Sequence, residues 1–457
     1  MIFMKKGLKI IVVTLLLINL VGGGVLAQDK KEAEDIFIPT IDYKEFEMEN
    51  GLDIYVLEDH KLPLVNFSVW YQVGSIDEKD GISGISHLLE HTMFLGTETL
   101  KKGQIHNLVK AVGGSNNAGT FYDYTKYYEE LPAAKLELAM AIEADRMRNL
   151  AIDPQEFRRE KEVVKQERRK RIENSTFWSA LEEVQAKAWQ GTPLEHQIIG
   201  WMEDLNRINE KDMRDYYRQY YAPNNAALVV SGDVKASEVK SLAQKYYGDY
   251  QSQKIERIEF NPPEQKEERK ITIKKVTRVP FIQMVYRTPA ANHKDITAIK
   301  ALMDILINNS SSRVKEHLKQ EQRLIIERGS SVLGLRKNGF ALIYLIPTSP
   351  KLVDRVQKSF DQELQRIKEE GVTEEELEIV RKNSLKSMIF RQRDTSSQAN
   401  MIAQGVVRFD NPDLYQEQLK ELKELTTAEI KAVARKYFSQ DKRTVGYVMP
   451  QVGNKQK

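Results

Sequence analysis

The 457-residue chain contains no cysteine. That excludes disulfides, a lipid-modified N-terminal cysteine and any thiolate metal ligand. A charge imbalance is also missing, since 69 Lys and Arg stand against 66 Asp and Glu for a net charge of +3. So even a balance decides nothing about nucleic acid, and no such partner is expected. Histidine is scarce, with seven in the chain, so the positions it occupies carry information. What is present is 41% hydrophobic and 30% charged residues, the composition of a soluble globular protein. The length exceeds one ordinary core and implies two or more domains.

The N-terminus reads as an export signal. Lys5, Lys6 and Lys9 precede an apolar run from Ile10 to Leu20, then Gly22 to Gly24 and Val25-Leu26-Ala27. Small residues at the end of such a run suit signal-peptidase cleavage after Ala27. An uncleaved membrane anchor is the alternative, because Ile10 to Ala27 is only just long enough to span. The expected location is the periplasm or cell envelope, with no stable membrane insertion once residues 1–27 are removed. Residues 28–43 form a polar lead-in.

One unit occurs twice. Leu62-Pro63-Leu64-Val65-Asn66-Phe67 resembles Val279-Pro280-Phe281-Ile282-Gln283-Met284, and Pro280 follows Pro63 by 217 residues. Both stretches alternate as strands do. The helical stretch Leu205 to Tyr221 resembles Leu422 to Phe438, and Tyr437 follows Tyr220 by the same 217. A constant offset at both ends of two long segments indicates a duplication. The expected fold is therefore α+β: two homologous α/β domains, each a mostly antiparallel sheet with helices packed on one face. The first spans residues 44–250 and the second 271–457. Residues 251–270 are read as a linker, because Pro262-Pro263 fits neither a helix nor a central strand.

His87-Leu88-Leu89-Glu90-His91 lies in a stretch, Ile82 to Leu95, with helical apolar spacing. Residues i and i+4 share a helix face, so both imidazoles can reach one metal ion. Glu90 then points at the same place without being a ligand. Two neutral imidazoles suit zinc, which in catalytic sites takes three protein ligands and leaves a position for water. A carboxylate near that water can move its proton. By chance, a pair of histidines so spaced around a glutamate is expected in on the order of one such sequence in a hundred. A third ligand is sought on the charged stretch Pro154 to Glu173, where Glu160 and Glu167 lie seven residues apart on one helix face. Spacing alone does not choose between them, nor exclude Glu156 or Glu162. The run Arg168 to Arg171 is a weak phosphate-binding signal and reads as a solvated helix face.

These residues resemble a known family. The order HxxEH marks the inverzincins, and the chain resembles the pitrilysin/insulinase family in its short, processing-peptidase-like branch. The resemblance runs from about Tyr43 to Met449. It rests on GISHLLEHTMFLGT (Gly84 to Thr97), GGSNNAGTFYDYTKYY (Gly113 to Tyr128), EADRM (Glu143 to Met147) and EKEVVKQE (Glu160 to Glu167). It implies Glu167 as the third ligand of one Zn2+ per chain, alongside His87 and His91. It implies Glu160 as the carboxylate that orients the ligands, and Glu90 as the general base. Asn116-Asn117 reads by itself as a turn. The resemblance instead puts Asn117-Ala118 on a strand edge that pairs with the substrate backbone.

The second half departs from the first. The offset carries His87 to Asp304, Glu90 to Ile307 and His91 to Asn308, so no metal site is expected there. The family's full active site also takes an Arg and a Tyr from a C-terminal unit. Aligned on Ser311-Ser312-Arg313, those positions hold Lys319 and Ile326. Lysine lacks the bidentate fork, and isoleucine donates no hydrogen bond. The resemblance thus implies the metal-bearing subunit of a heterodimer, a metal-less homologue supplying the pair, with a homodimer as the alternative. Either would close as a clamshell on dimerisation. The implied activity is hydrolysis of peptides or unfolded segments by an exported zinc metalloendopeptidase. A peptide-binding or structural subunit with little turnover is the rival.

Overall fold

A computed structural model describes residues 40–451. The expected signal segment and the lead-in up to residue 39 lie outside the described residues. No helix among the described residues is long and apolar enough to cross a membrane.

Six strands form the first sheet: β1 Lys44–Glu47, β2 Asp53–Glu58, β3 Leu64–Tyr71, β4 Ser115–Thr120, β5 Thr125–Pro132 and β6 Ala226–Gly232. Their order is β1-β2-β6-β3-β5-β4. Five form the second: β7 Arg269–Lys275, β8 Phe281–Pro289, β9 Ile325–Gly334, β10 Asn338–Pro347 and β11 Arg443–Pro450, in the order β7-β11-β8-β10-β9. The pairs β2/β6 and β7/β11 are parallel and all others antiparallel. Without β1 the two orders are the same. The repeat read from sequence is visible strand by strand, with β8 starting 217 residues after β3 and β11 217 after β6. Residues 251–268 carry no helix or strand, and β7 begins inside the expected linker.

The first half contributes helices α1 Ile85–Thr92, α2 Gln104–Ala111, α3 Leu136–Arg148, α4 Pro154–Arg168, α5 Thr176–Trp189, α6 Met202–Arg207, α7 Glu210–Tyr220 and α8 Ala236–Tyr247. The second contributes α9 Ile296–Met303, α10 Val353–Glu369, α11 Glu374–Arg391, α12 Thr395–Phe409, α13 Leu414–Glu424 and α14 Thr427–Tyr437. The stretch expected as one helix over Leu205 to Tyr221 is two, because extended Asn209 caps α7. Its Oδ1 accepts from the amides of Lys211 (2.9 Å) and Asp212 (3.2 Å). Thr426 caps α14 in the same way 217 residues later.

Alternate residues of the central strands enter different cores, as a period of two requires. Ile54, Val56, Phe67, Val69, Leu228 and Val230 face one core with α3, α7 and α8. Tyr55, Leu57, Trp70 and Val229 face the other way. That second face is covered by α12 of the other half, through Met401, Ile402, Val406 and Val407. Reciprocally, Leu181, Val184 and Trp189 of α5 cover Val285, Phe340, Leu342 and Val448 on the second sheet. Helices of its own half therefore pack on one face of each sheet, as expected. The opposite face takes the corresponding helix of the other half. Buried Arg408 on α12 seals the exchange by donating to Asp123 Oδ2 (2.9 Å) of the first half.

Candidate metal centre

The N-terminus of α1 is set by glycine. Gly84 has φ 86°, and a Cβ there would meet the Ile199 carbonyl oxygen at 2.3 Å. The loop carrying Ile198 and Ile199 therefore lies directly on the start of α1. With no side-chain N-cap available, a carboxylate six residues upstream caps the helix: Glu78 accepts from the amides of Gly84 (2.7 Å) and Ser86 (2.9 Å). Ile85, Leu88 and Leu89 on the inner face are fully buried, each contributing about 1.5–3 kcal/mol. That fixes the helix rotation and turns His87, Glu90 and His91 toward a cavity of about 840 Å³.

Helix α4 forms the opposite wall. Asp153 caps it, accepting from the amides of Gln155 and Glu156 (2.9 Å each), and Pro154 stands at its first position. Phe157, Glu160, Val164 and Glu167 form its inward stripe, and Glu160 and Glu167 line the cavity. A π-helical turn, Arg169–Glu173, follows. The Arg168–Arg171 run is not a uniformly solvated face. Arg168 is buried and holds Glu182 (2.8 Å) and the Gly200 carbonyl (2.6 Å), while Arg171 pairs with Glu167 (2.8 Å).

The structure brings His87, His91 and Glu167 together, one ligand atom from each lying within 4.8 Å of the others. His91 Nε2 is 3.3 Å and His87 Nε2 4.0 Å from Glu167 Oε2. Tetrahedral zinc with ligand bonds of 2.0–2.1 Å separates its ligand atoms by about 3.3 Å. Two imidazole nitrogens and a carboxylate so spaced fit that ion. Behind them, His91 Nδ1 donates to Glu160 Oε1 (2.9 Å), which fixes the ring and directs Nε2 into the cavity. His87 Nδ1 is buried with no hydrogen-bond partner among the described residues.

The four groups perturb one another strongly. Burial resists charging His91, but hydrogen bonds to Glu160 and Glu167 prevail and raise it to about 9. Burial, and then the neighbouring His91, pull His87 down to about 4. The hydrogen bond from His91 holds Glu167 below the usual carboxylate range. Burial pushes Glu90 up, against a hydrogen bond donated by Thr120 Oγ1 to its Oε2 (2.6 Å). A carboxylate raised in this way is a better proton acceptor at neutral pH.

Asn117 and Ala118 lie on β4, the outermost strand beside β5, and line the same cavity. The turn suggested by Asn116-Asn117 alone is not what forms. Asn117 Oδ1 accepts the Ala118 amide (2.9 Å), occupying a main-chain donor of the edge strand. Thr120, on the same strand, ties that edge to Glu90. Sequence reasoning did not single out Thr120 or Glu78, and read Arg171 only as part of a solvated run. Thr120 meets α1 only through tertiary packing, and Glu78 reaches it across a short loop from outside the usual capping positions. Arg171 stands four residues after Glu167, an i,i+4 spacing that could have flagged it. Lys319 and Ile326 occupy the second half, where Lys319 pairs with Glu327 (3.0 Å) and Ile326 is exposed.

Comparison with known proteins agrees with this picture. The description "Insulinase (Peptidase family M16)" matches residues 54–201, and "Peptidase M16 inactive domain" matches residues 207–384. The zinc protease PqqE of Helicobacter pylori is 28% identical over 413 residues, covering 88% of this chain and 92% of that protein. The uncharacterized zinc protease YmxG of Bacillus subtilis is 26% identical over 403 residues, covering 87% and 96%. The mitochondrial-processing peptidase subunit beta of Bos taurus is 30% identical over 216 residues, covering 47% of this chain and 44% of that protein. A crystal structure of a protease from Helicobacter pylori superimposes with a TM-score of 0.85 at 27% identity, over 91% of this chain and all of that one. The first half of the periplasmic protease PqqL from Escherichia coli shares the fold, with a TM-score of 0.74 at 21% identity over 89% and 92% of the two chains.

Proposed function

We propose, from the premise that this chain belongs to the insulinase family of peptidases, that it is an exported zinc metalloendopeptidase acting on peptides or unfolded segments. The observation that carries the proposal is the convergence of His87, His91 and Glu167 beside Glu90, against an open sheet edge in one cavity. The names of the similar zinc proteases support the metal and the chemistry. The basic and apolar N-terminal residues support export, as does the fold shared with periplasmic PqqL.

In this reading His87 and His91 hold the zinc through Nε2 and Glu167 through a carboxylate oxygen, with Glu160 keeping His91 in its donor orientation. A bound zinc ion supplies Lewis acidity, polarising a carbonyl and acidifying water. Glu90 accepts the proton of the attacking water at a carboxylate oxygen and returns it to the leaving amine. Thr120 keeps that carboxylate turned into the cavity. Asn117 and Ala118 pair with the substrate backbone by strand addition, with the Asn117 side chain giving up the Ala118 amide to a substrate carbonyl. Backbone pairing selects extended segments rather than particular side chains.

The absence of Arg and Tyr at Lys319 and Ile326 favours action as the metal-bearing subunit of a heterodimer, in which a metal-less homologue completes the site. Similarity to a processing-peptidase beta subunit supports this arrangement. The same two residues favour the second reading, a peptide-binding subunit with little turnover. The experiment is hydrolysis of a quenched fluorescent peptide library by the purified chain, with and without a metal-less homologue from the same genome. Turnover only with the homologue is expected. Full turnover by the chain alone would remove the heterodimer, and none in either case would favour peptide binding.

A further inference from the structure

The duplication gives the second half its own copy of the cleft between two helices. The end of α9 with the π-helical turn Asp304–Asn308 that continues it corresponds to α1, and α11 to α4; residues 217 after His87 and Glu167 are Asp304 and Ser384. Both line a pocket of about 410 Å³. The cleft therefore has similar walls without the histidines, and its contents differ. Lys300, one turn before Asp304, is half-buried there, and exposed Arg391 stands at the far end of the α11 wall. Met388, Met401, Leu419 and Leu422 provide an apolar floor.

Lys300 makes no contact ion pair among the described residues. Lys300 Nζ donates to Gln418 Oε1 (2.8 Å), a neutral acceptor. The Glu421 and Asp304 carboxylates act on it through space without touching it, Glu421 accepting from the Thr297 hydroxyl (2.6 Å) and Asp304 from the Asn308 amide (3.1 Å). Burying an ammonium without a counter-ion is costly. Burial, and then Arg408, bring Lys300 down to about 8, so it stays mostly charged at neutral pH. Burial raises Asp304 above the usual carboxylate range. Pockets that hold small molecules commonly combine apolar walls with a few placed polar groups in a volume of roughly 300–1,000 Å³.

We propose that this pocket, between α9, α11 and α13, is a second ligand site that takes a small carboxylate with an apolar body. The carboxylate meets Lys300 and Arg391, and the apolar part lies on the methionine and leucine floor. The site is separate from the metal centre and does not depend on peptidase activity.

Calorimetry on the full chain tests this with three probes: sodium octanoate, leucine and inorganic phosphate. Saturable one-to-one binding of octanoate or leucine is expected, weakened at least about tenfold in Lys300→Met, the loss of one charge-assisted contact. Octanoate alone identifies a monocarboxylate, and leucine alone a zwitterion whose ammonium meets Asp304. Ser384→Leu fills the cleft from the opposite wall without touching the charge, and abolishes binding even if Lys300→Met fails to fold. Phosphate, with no apolar body, binds at least tenfold more weakly. No binding of either organic probe, binding that survives both substitutions, or phosphate binding as tight as octanoate overturns the proposal.

Discussion

At the residue scale the site depends on how each ligand is held. Glu160 touches no reacting atom in the proposed mechanism, yet its bond to His91 Nδ1 sets the ring. Glu160→Gln is expected to weaken zinc binding about 10–100-fold with the circular dichroism spectrum unchanged, as read by chelator competition. An unchanged affinity would show that packing alone orients His91. The two histidines and Glu90 were legible in sequence because an i,i+4 pair on one helix fixes their mutual placement wherever the helix lies. Glu167 was not legible from spacing, since Glu156, Glu160 and Glu162 share its stretch, and only family resemblance distinguished it. Thr120 acts across a tertiary contact that leaves no local mark, and Glu78 caps α1 from six residues before Gly84, a spacing no capping pattern flags.

At the scale of elements, the edge strand and a helix end each make a prediction. Ala118→Pro removes the amide that strand addition would use, and proline is tolerated at a sheet edge. One hydrogen bond contributes about 0.5–1.5 kcal/mol, so KM for peptides should rise up to about tenfold while bound zinc is unchanged. An unaltered KM would remove β4 from substrate binding. Helix α12 ends at Asp410, a non-glycine residue at φ 54° whose charge sits at the negative end of the helix dipole. Asp53 lies nearby, raised to about 6 by burial first and by Asp410 next. A carboxyl raised above its unfolded value loses stability as pH climbs from about 4 to 6, and the loss persists above that. Asp410→Asn tolerates the left-handed conformation and removes the charge, so it should stabilise by about 0.3–1 kcal/mol above pH 6. The gain should vanish below pH 4 in thermal melts, and an equal gain at both pH values would point to backbone conformation instead. The strands and the repeat were legible because apolar alternation survived duplication. The break at Asn209 was marked only by a capping residue within an otherwise continuous helical pattern.

At the scale of the molecule, the exchange of α5 and α12 binds the halves into one unit. Nothing in the sequence announced it, because an amphipathic helix does not say which sheet it covers. A fragment ending at residue 266 would leave Tyr55, Trp70 and Val229 without α12. It is expected to be insoluble or to lack near-UV dichroism alone, and to recover both when co-expressed with residues 267–457. A soluble, ordered fragment would make the halves independent domains. The central claim, that this fold presents one zinc ion to Glu90, is tested most directly by measuring zinc content and peptide hydrolysis together in the wild type and Glu90→Gln, each assayed with the metal-less homologue present. About one zinc per chain in both, with turnover in the wild type alone and at least about 10²-fold lower in the variant, is the predicted result. A wild type without zinc, or a variant as active as the wild type, would contradict it.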